Sequence, residues 1–133
     1  MLGLGPLDRL LVDPTVTDVI VNADGGVWVE RDGRLRRTDA VIGVAARWEM
    51  VERALAHSGV TVDRAHPIAD ARLADGSRLA VVVPPVASGG PVLAIRRFVA
   101  LRHGVGSFGD AATVAALEAL VRDRSNVLVY GST

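Results

Sequence analysis

All fifteen basic residues of this 133-residue chain are arginine. Every cation it carries is therefore a planar, permanently charged fork that can grip a phosphate or a carboxylate with two parallel hydrogen bonds. Arg78, Arg96 and Arg97 fall in apolar, strand-like stretches, where an arginine pairs with a nearby carboxylate such as Asp70 or Asp75, faces solvent, or holds an anion. At the C-terminus, Gly131-Ser132-Thr133 directly follows the apolar run 126–130. A strand that ends in glycine is how the phosphate-binding loop G-x-x-x-x-G-K-[ST] begins, with backbone N–H groups wrapped around the phosphates. Only the first three positions of that loop are present, and a frayed terminus has the same composition.

Other chemistries are less well supplied. The chain has no cysteine, which removes disulfides, thiolate zinc sites and cysteine nucleophiles and fits a reducing compartment. Asp63, His66 and Asp70 with His57 match no compact ligand spacing, and His66-Pro67 reads as a turn, so no metal is expected. Three histidines without a placed serine and carboxylate do not make a hydrolase; Ser77 and Ser107 read as turn residues. Arg34, Arg36 and Arg37 form the densest basic cluster, but Asp32 and Asp39 flank it, which describes a solvated hairpin face. Fifteen acidic residues balance the arginines to a net charge of +0, with a pI near 6.8, and no nucleic-acid partner is expected. The longest uncharged run, 79–95, is broken by Pro84, Pro85, Gly89, Gly90 and Pro91, so it cannot cross a bilayer as a helix. Asp8, Arg9 and Asp13 occupy the stretch that a signal peptide needs apolar, and a cytoplasmic location is expected.

The elements that must position these residues follow from period and punctuation. Half of the residues are hydrophobic but only 4% are aromatic, so the core must be built from Val, Leu, Ile and Ala. One helical turn over 7–12 is stopped by Asp13-Pro14. Strands at 16–22, 27–31 and 34–38, separated by Asp24-Gly25-Gly26 and Asp32-Gly33, read as an antiparallel meander. A helix over 44–58 places Val44, Trp48, Val51 and Leu55 on one face, with Arg47, Glu49 and Arg53 elsewhere, and stops at Gly59. Strands at 71–73 and 77–83 flank the Asp75-Gly76 turn, Pro84-Pro85 ends the second, and another strand covers 92–98. A helix over 110–123 carries Val114, Leu117, Leu120 and Val121 on one face, and 126–130 has the look of a buried parallel strand. The fold class is α+β, a small antiparallel sheet with packed helices. Residues 1–109 form this domain, and 110–133 form a linker helix and first strand leading into a second one.

Several blocks of the chain carry a resemblance. Leu4-Gly5-Pro6-Leu7, the stretch 11–22 and Val27-Trp28-Val29-Glu30-Arg31 resemble the N-terminal region of type II/IV secretion traffic ATPases. Asp70-Ala71-Arg72-Leu73, Asp75-Gly76-Ser77-Arg78-Leu79, Val83-Pro84-Pro85, Gly90-Pro91 and Ile95-Arg96-Arg97-Phe98 closely resemble the Tad-pilus branch of that family, and Asn126 to Val129 is similar to its run before the P-loop. The resemblance implies a PAS-like N-terminal domain ending on the first strand of a RecA-like ATPase domain, cut inside the P-loop. It implies a homohexamer that powers pilus assembly or type II/IV secretion, using ATP and Mg²⁺ in the full-length parent, peripheral at the inner face of the cell membrane. Its partners would be its own ATPase domain, neighbouring subunits and an inner-membrane platform protein. It further implies that Arg78 and Arg96 face the γ-phosphate, Arg97 less so because adjacent strand residues point to opposite faces, and that Gly131, Ser132 and Thr133 open the phosphate loop. The loop lysine is not reached, so this chain alone is expected to bind no cofactor and to hydrolyse no ATP. Ala74 stands where the family often has proline, which relaxes the turn. The other reading is a stand-alone regulatory or protein-binding α+β domain in which the terminal Gly-Ser-Thr carries no meaning.

Overall fold

A computed structural model describes residues 3–56, 58–97 and 104–131. The chain separates into two compact units, Met1–Val99 and Ala100–Thr133. In the first, a 3-10 turn at Gly5–Leu7 runs into the short helix α1 (Asp8–Leu11). Strands β1 (Val16–Val21), β2 (Gly26–Arg31) and β3 (Arg34–Val41) follow, then helix α2 (Val44–Leu55) and strands β4 (Ile68–Arg72), β5 (Arg78–Val82) and β6 (Val92–Arg96). The six strands form one sheet in the order β3-β2-β1-β6-β5-β4, antiparallel throughout. The expected meander is its first half. A second meander, β4-β5-β6, is its other half, and β6 lies against β1 to join them.

Asx turns set the hairpins. Asp24 Oδ1 accepts the Gly26 amide at 2.9 Å, and Gly25 takes a φ of +82° at a point where a Cβ would run into the Ile42 carbonyl. Asp75 accepts both the amide and the hydroxyl of Ser77 at 2.9 Å, which lets that serine be buried without an unmet hydrogen bond. Before β1, Asp13 accepts the Thr15 amide and hydroxyl and pairs with Arg31 at 2.9 Å; these bonds hold its carboxyl down at a pKa of about 2.

Alternation then decides which side of the sheet is inside. Val19, Val21, Val27, Val29, Leu79, Val81, Leu93 and Ile95 are buried and share one core cluster with Leu4, Leu7 and Leu11 and with Met50, Val51 and Leu55 of α2. Each such side chain contributes roughly 1.5–3 kcal/mol on burial, so this face accounts for the cohesion of the unit. Helix α2 departs from the expected stripe. Val44 is exposed and Trp48 only partly covered, whereas Arg47, assigned from the sequence to another face, is 2% exposed. Its guanidinium donates to the carbonyls of Asn22 (3.1 Å), Pro91 (2.8 Å) and Gly89 (2.8 Å), and only Nε lacks a partner. A charge can be buried here because three backbone dipoles solvate it in place of water.

In the second unit, a 3-10 turn (Val105–Phe108) precedes helix α3 (Ala111–Arg122), capped by Asp110 accepting the Thr113 amide at 2.9 Å. The strand expected over 126–130 is not formed. Val127, Leu128, Val129 and Tyr130 are 53%, 85%, 89% and 90% exposed. An apolar run becomes a strand only when another strand completes its ladder, and the described residues of this unit supply none.

Replacing Arg47 by Ala removes three charge-assisted bonds and opens a cavity, so the unfolding free energy in urea should fall by about 3 kcal/mol. Arg53→Ala, on the exposed side of α2, should change it by less than about 0.5 kcal/mol.

Candidate functional site

The face of the sheet opposite the core carries the polar chemistry. Because strand residues alternate, 18, 70, 72, 78, 80, 94 and 96 share this face. The register sets them in two rows. Asp18 is the Cα partner of Arg96, Arg96 of Arg78, and Arg78 of Arg72; on the other side Asp18 pairs with Glu30. One step further along, Ile20 pairs with Ala94, Ala94 with Ala80, and Ala80 with Asp70. The first row therefore runs acid, acid, base, base, base across β2, β1, β6, β5 and β4.

A shallow depression of about 260 Å³ lies here, lined by Asp18, Asp70, Arg78, Ala80, Ala94 and Arg96. Its floor is low because the cross-strand pair Ala80 and Ala94 has only methyl groups, while the arginines stand as its wall. Arg96 Nε donates to Asp18 Oδ1 at 2.9 Å; the Asp18 carboxylate is 18% exposed and the Arg96 side chain 74%. Asp18, with Glu30 behind it, raises the pKa of the Arg96 guanidinium further. The Arg78 side chain makes no hydrogen bond or ion pair among the described residues, and the Arg72 side chain likewise makes none. Like charges directly opposite on neighbouring strands repel, so the row Arg96-Arg78-Arg72 is a surface that an anion would stabilise.

The structure thus brings Arg78 and Arg96 together as direct neighbours. Arg97 points the other way: its Nη1 donates to the carbonyls of Asp13 and Val16, the latter at 2.7 Å, and its amide bonds Thr17 O at 2.8 Å. It is committed to the backbone at the start of β1. Gly131 belongs to the second unit and is exposed, while Ser132 and Thr133 lie outside the described residues. Of the metal candidates, Asp63 Oδ1 is spent on the amides of Ala65 (2.8 Å) and His66 (2.7 Å), which lower its pKa; Asp70 is on the arginine-bearing face, and His57 lies outside the described residues. Among the described residues no group of three His, Cys, Asp or Glu could hold a metal. The Arg34, Arg36 and Arg37 cluster lies exposed on β3, with Arg37 3.5 Å from Asp24.

Three members of the row, Glu30, Asp18 and Arg72, carry no site role in the reading of the sequence. Arg72 could have been found, since it and Arg78 are equidistant from Asp75 in a hairpin. Asp18 could not, because its partner is 78 positions away.

An antiparallel α+β domain with its core on one face and an arginine row on the other is the class that fold and site define. The chain belongs to the type II/IV secretion system protein family, whose model matches residues 1–133. Two Mycobacterium tuberculosis proteins, from strains CDC 1551 / Oshkosh and ATCC 25618 / H37Rv, each bear the name "Putative conjugal transfer protein". Each is 31% identical to this chain over 144 residues, covering 98% of the chain and 41% of the relative. The chain therefore spans about two fifths of the length of these relatives. Its fold is also that of part of the VirB11 ATPase from the Brucella suis type IV secretion system, solved in complex with sulphate: the TM-score is 0.70 at 22% identity, over 96% of this chain and 37% of that one. No helix among the described residues is long and apolar enough to cross a membrane.

Neighbouring arginines with different tasks should separate in a stability measurement. Arg97→Ala should lower the urea unfolding free energy by about 2 kcal/mol, since it strips a charged donor from two carbonyls. Arg78→Ala and Arg96→Ala should each change it by less than about 1 kcal/mol.

Proposed function

We propose that this chain is the N-terminal domain of a hexameric secretion ATPase of the Tad-pilus type, and that it covers the nucleotide and presents Arg78 and Arg96 to the γ-phosphate. One observation carries the reading: two arginines from the consecutive strands β5 and β6 are direct cross-strand neighbours on an exposed face with a methyl-lined floor, and the side chain of one of them has no protein partner among the described residues. Two guanidinium forks side by side suit a phosphate that gathers negative charge as it is transferred. The donor set fits a triphosphate; the carboxylates of Asp18 and Asp70 border it, so an anion is directed toward the arginine side. ATP with Mg²⁺, held by the ATPase domain of the parent, supplies the phosphoryl group. This chain's part is to bind and orient charge, with Gly131, Ser132 and Thr133 opening the phosphate loop.

In such a machine the partners are the protein's own RecA-like ATPase domain, neighbouring subunits of the homohexamer and a platform protein at the inner membrane, with the assembly peripheral on the cytoplasmic side. The arginines would favour the ATP-bound state over the ADP-bound state, because only the former places a terminal phosphate over their row, and domain movement would follow that preference.

Steady-state ATP turnover of the full-length protein tests the reading. Arg78→Lys and Arg96→Lys keep the charge but lose the fork, and each should lower turnover between about 30-fold and 1,000-fold, the equivalent of about 2–4 kcal/mol. Arg34→Lys, on the solvated β2–β3 hairpin, should leave turnover unchanged. Near-wild-type turnover in both test variants would contradict the phosphate role.

A further inference from the structure

The hydrogen bond from Arg96 to Asp18 uses Nε, the inner nitrogen of the guanidinium, and Nη1 and Nη2 make no hydrogen bond among the described residues. A guanidinium held by Nε still presents its outer edge as a two-pronged donor, the edge suited to bidentate phosphate binding. The two partners also differ in freedom. Asp18 is largely covered, in the middle of the sheet between β2 and β6, while the Arg96 side chain is mostly in solvent. Asp18 is thus the fixed member and Arg96 the one that would otherwise sample many rotamers.

We infer that Asp18 is a positioning residue for Arg96: its carboxylate, fixed by the β1–β6 register, engages Nε and turns the Nη edge toward Arg78, so that the two forks face one anion. The inference rests on the phosphate role proposed for Arg96. It has a physical rival, in which Asp18 merely competes with the anion for the guanidinium. The two differ in sign. Competition predicts that removing the carboxylate tightens nucleotide binding and leaves the chemical step intact, whereas positioning predicts a loss in kcat, because a misaimed donor fails where charge develops.

A double-mutant cycle in the full-length protein, read as kcat and KM for ATP, separates these. Asp18→Ala should lower kcat about tenfold with KM changed by less than about twofold, and Asp18→Asn, which keeps an oxygen acceptor at the same reach, should lose less. In an Arg96→Ala background the further loss on Asp18→Ala should be less than about twofold, because the group it positions is gone. An equal loss in both backgrounds, or an unchanged or raised kcat for Asp18→Ala beside an impaired Arg96→Ala, would overturn the inference and leave the phosphate role standing. An Arg96→Ala variant with normal turnover would remove both. A second measurement needs no activity. In this chain the Arg96 Nε–Hε proton should exchange slowly with water and lose that protection in Asp18→Ala, while the amides of Val19 and Ile95 keep theirs; unchanged Nε–Hε protection would overturn the inference.

Discussion

The pairing of β1 with β6 is the contact on which the rest of the first unit depends. These strands are some seventy-five positions apart along the chain, yet Val19 sits opposite Ile95 and Val21 opposite Leu93 in the middle of the core. Without that seam the protein is two separate three-stranded meanders, each with an open hydrophobic face. Arg47 fastens one end of the seam, since its guanidinium binds the carbonyl just past β1 at Asn22 and the carbonyl just before β6 at Pro91. Arg97 fastens the other end through Asp13 and Val16. Two buried or half-buried arginines thus hold one strand pair at both ends, through carbonyl groups that would otherwise need water.

Register turns this architecture into a site. A slip of one residue between β1 and β6 would exchange the faces of β6, putting Ile95 in solvent and Arg96 in the core. The apolar face forbids that slip, and in doing so it fixes the polar face. Asp18, Arg96, Arg78 and Arg72 stand in line because Val19, Ile95 and Leu79 must. The consecutive arginines 96 and 97 show the same logic: Arg97 is bonded to backbone carbonyls at the start of β1, and Arg96, on the opposite face, is held by Asp18 through Nε alone.

Much of this was legible in the sequence where structure is local. The Asp24-Gly25, Asp32-Gly33 and Asp75-Gly76 turns mark their hairpins because positive φ and Asx bonds are properties of a few adjacent residues. The family likeness was legible for the same reason, since its motifs sit on these turns and strands, and it singled out Arg78 and Arg96, which the structure places side by side. Three things were not legible. Arg47 in an amphipathic helix reads as a solvated charge, because its acceptors come from loops at 22, 89 and 91 that no helical period reveals. The joining of β6 to β1 depends on tertiary packing, and with it the partnership of Asp18 and Arg96. The run 126–130 has strand composition, yet composition does not supply a neighbouring strand, and those residues lie exposed and unpaired.

Membership of the type II/IV secretion system family gives the arginine row a context, and the VirB11 fold shows the same scaffold in a solved ATPase. The phosphate role we propose for this arginine-bearing sheet face is a narrower claim. Titrating the chain with inorganic tripolyphosphate while following backbone amide and arginine Nε–Hε resonances by NMR tests that claim most directly. The account predicts saturable shifts at Arg72, Arg78, Arg96 and the amide of Asp18, with Arg34, Arg36 and Arg37 unmoved. Equal shifts at the β3 arginines, or none at Arg78 and Arg96 at millimolar anion, would contradict it.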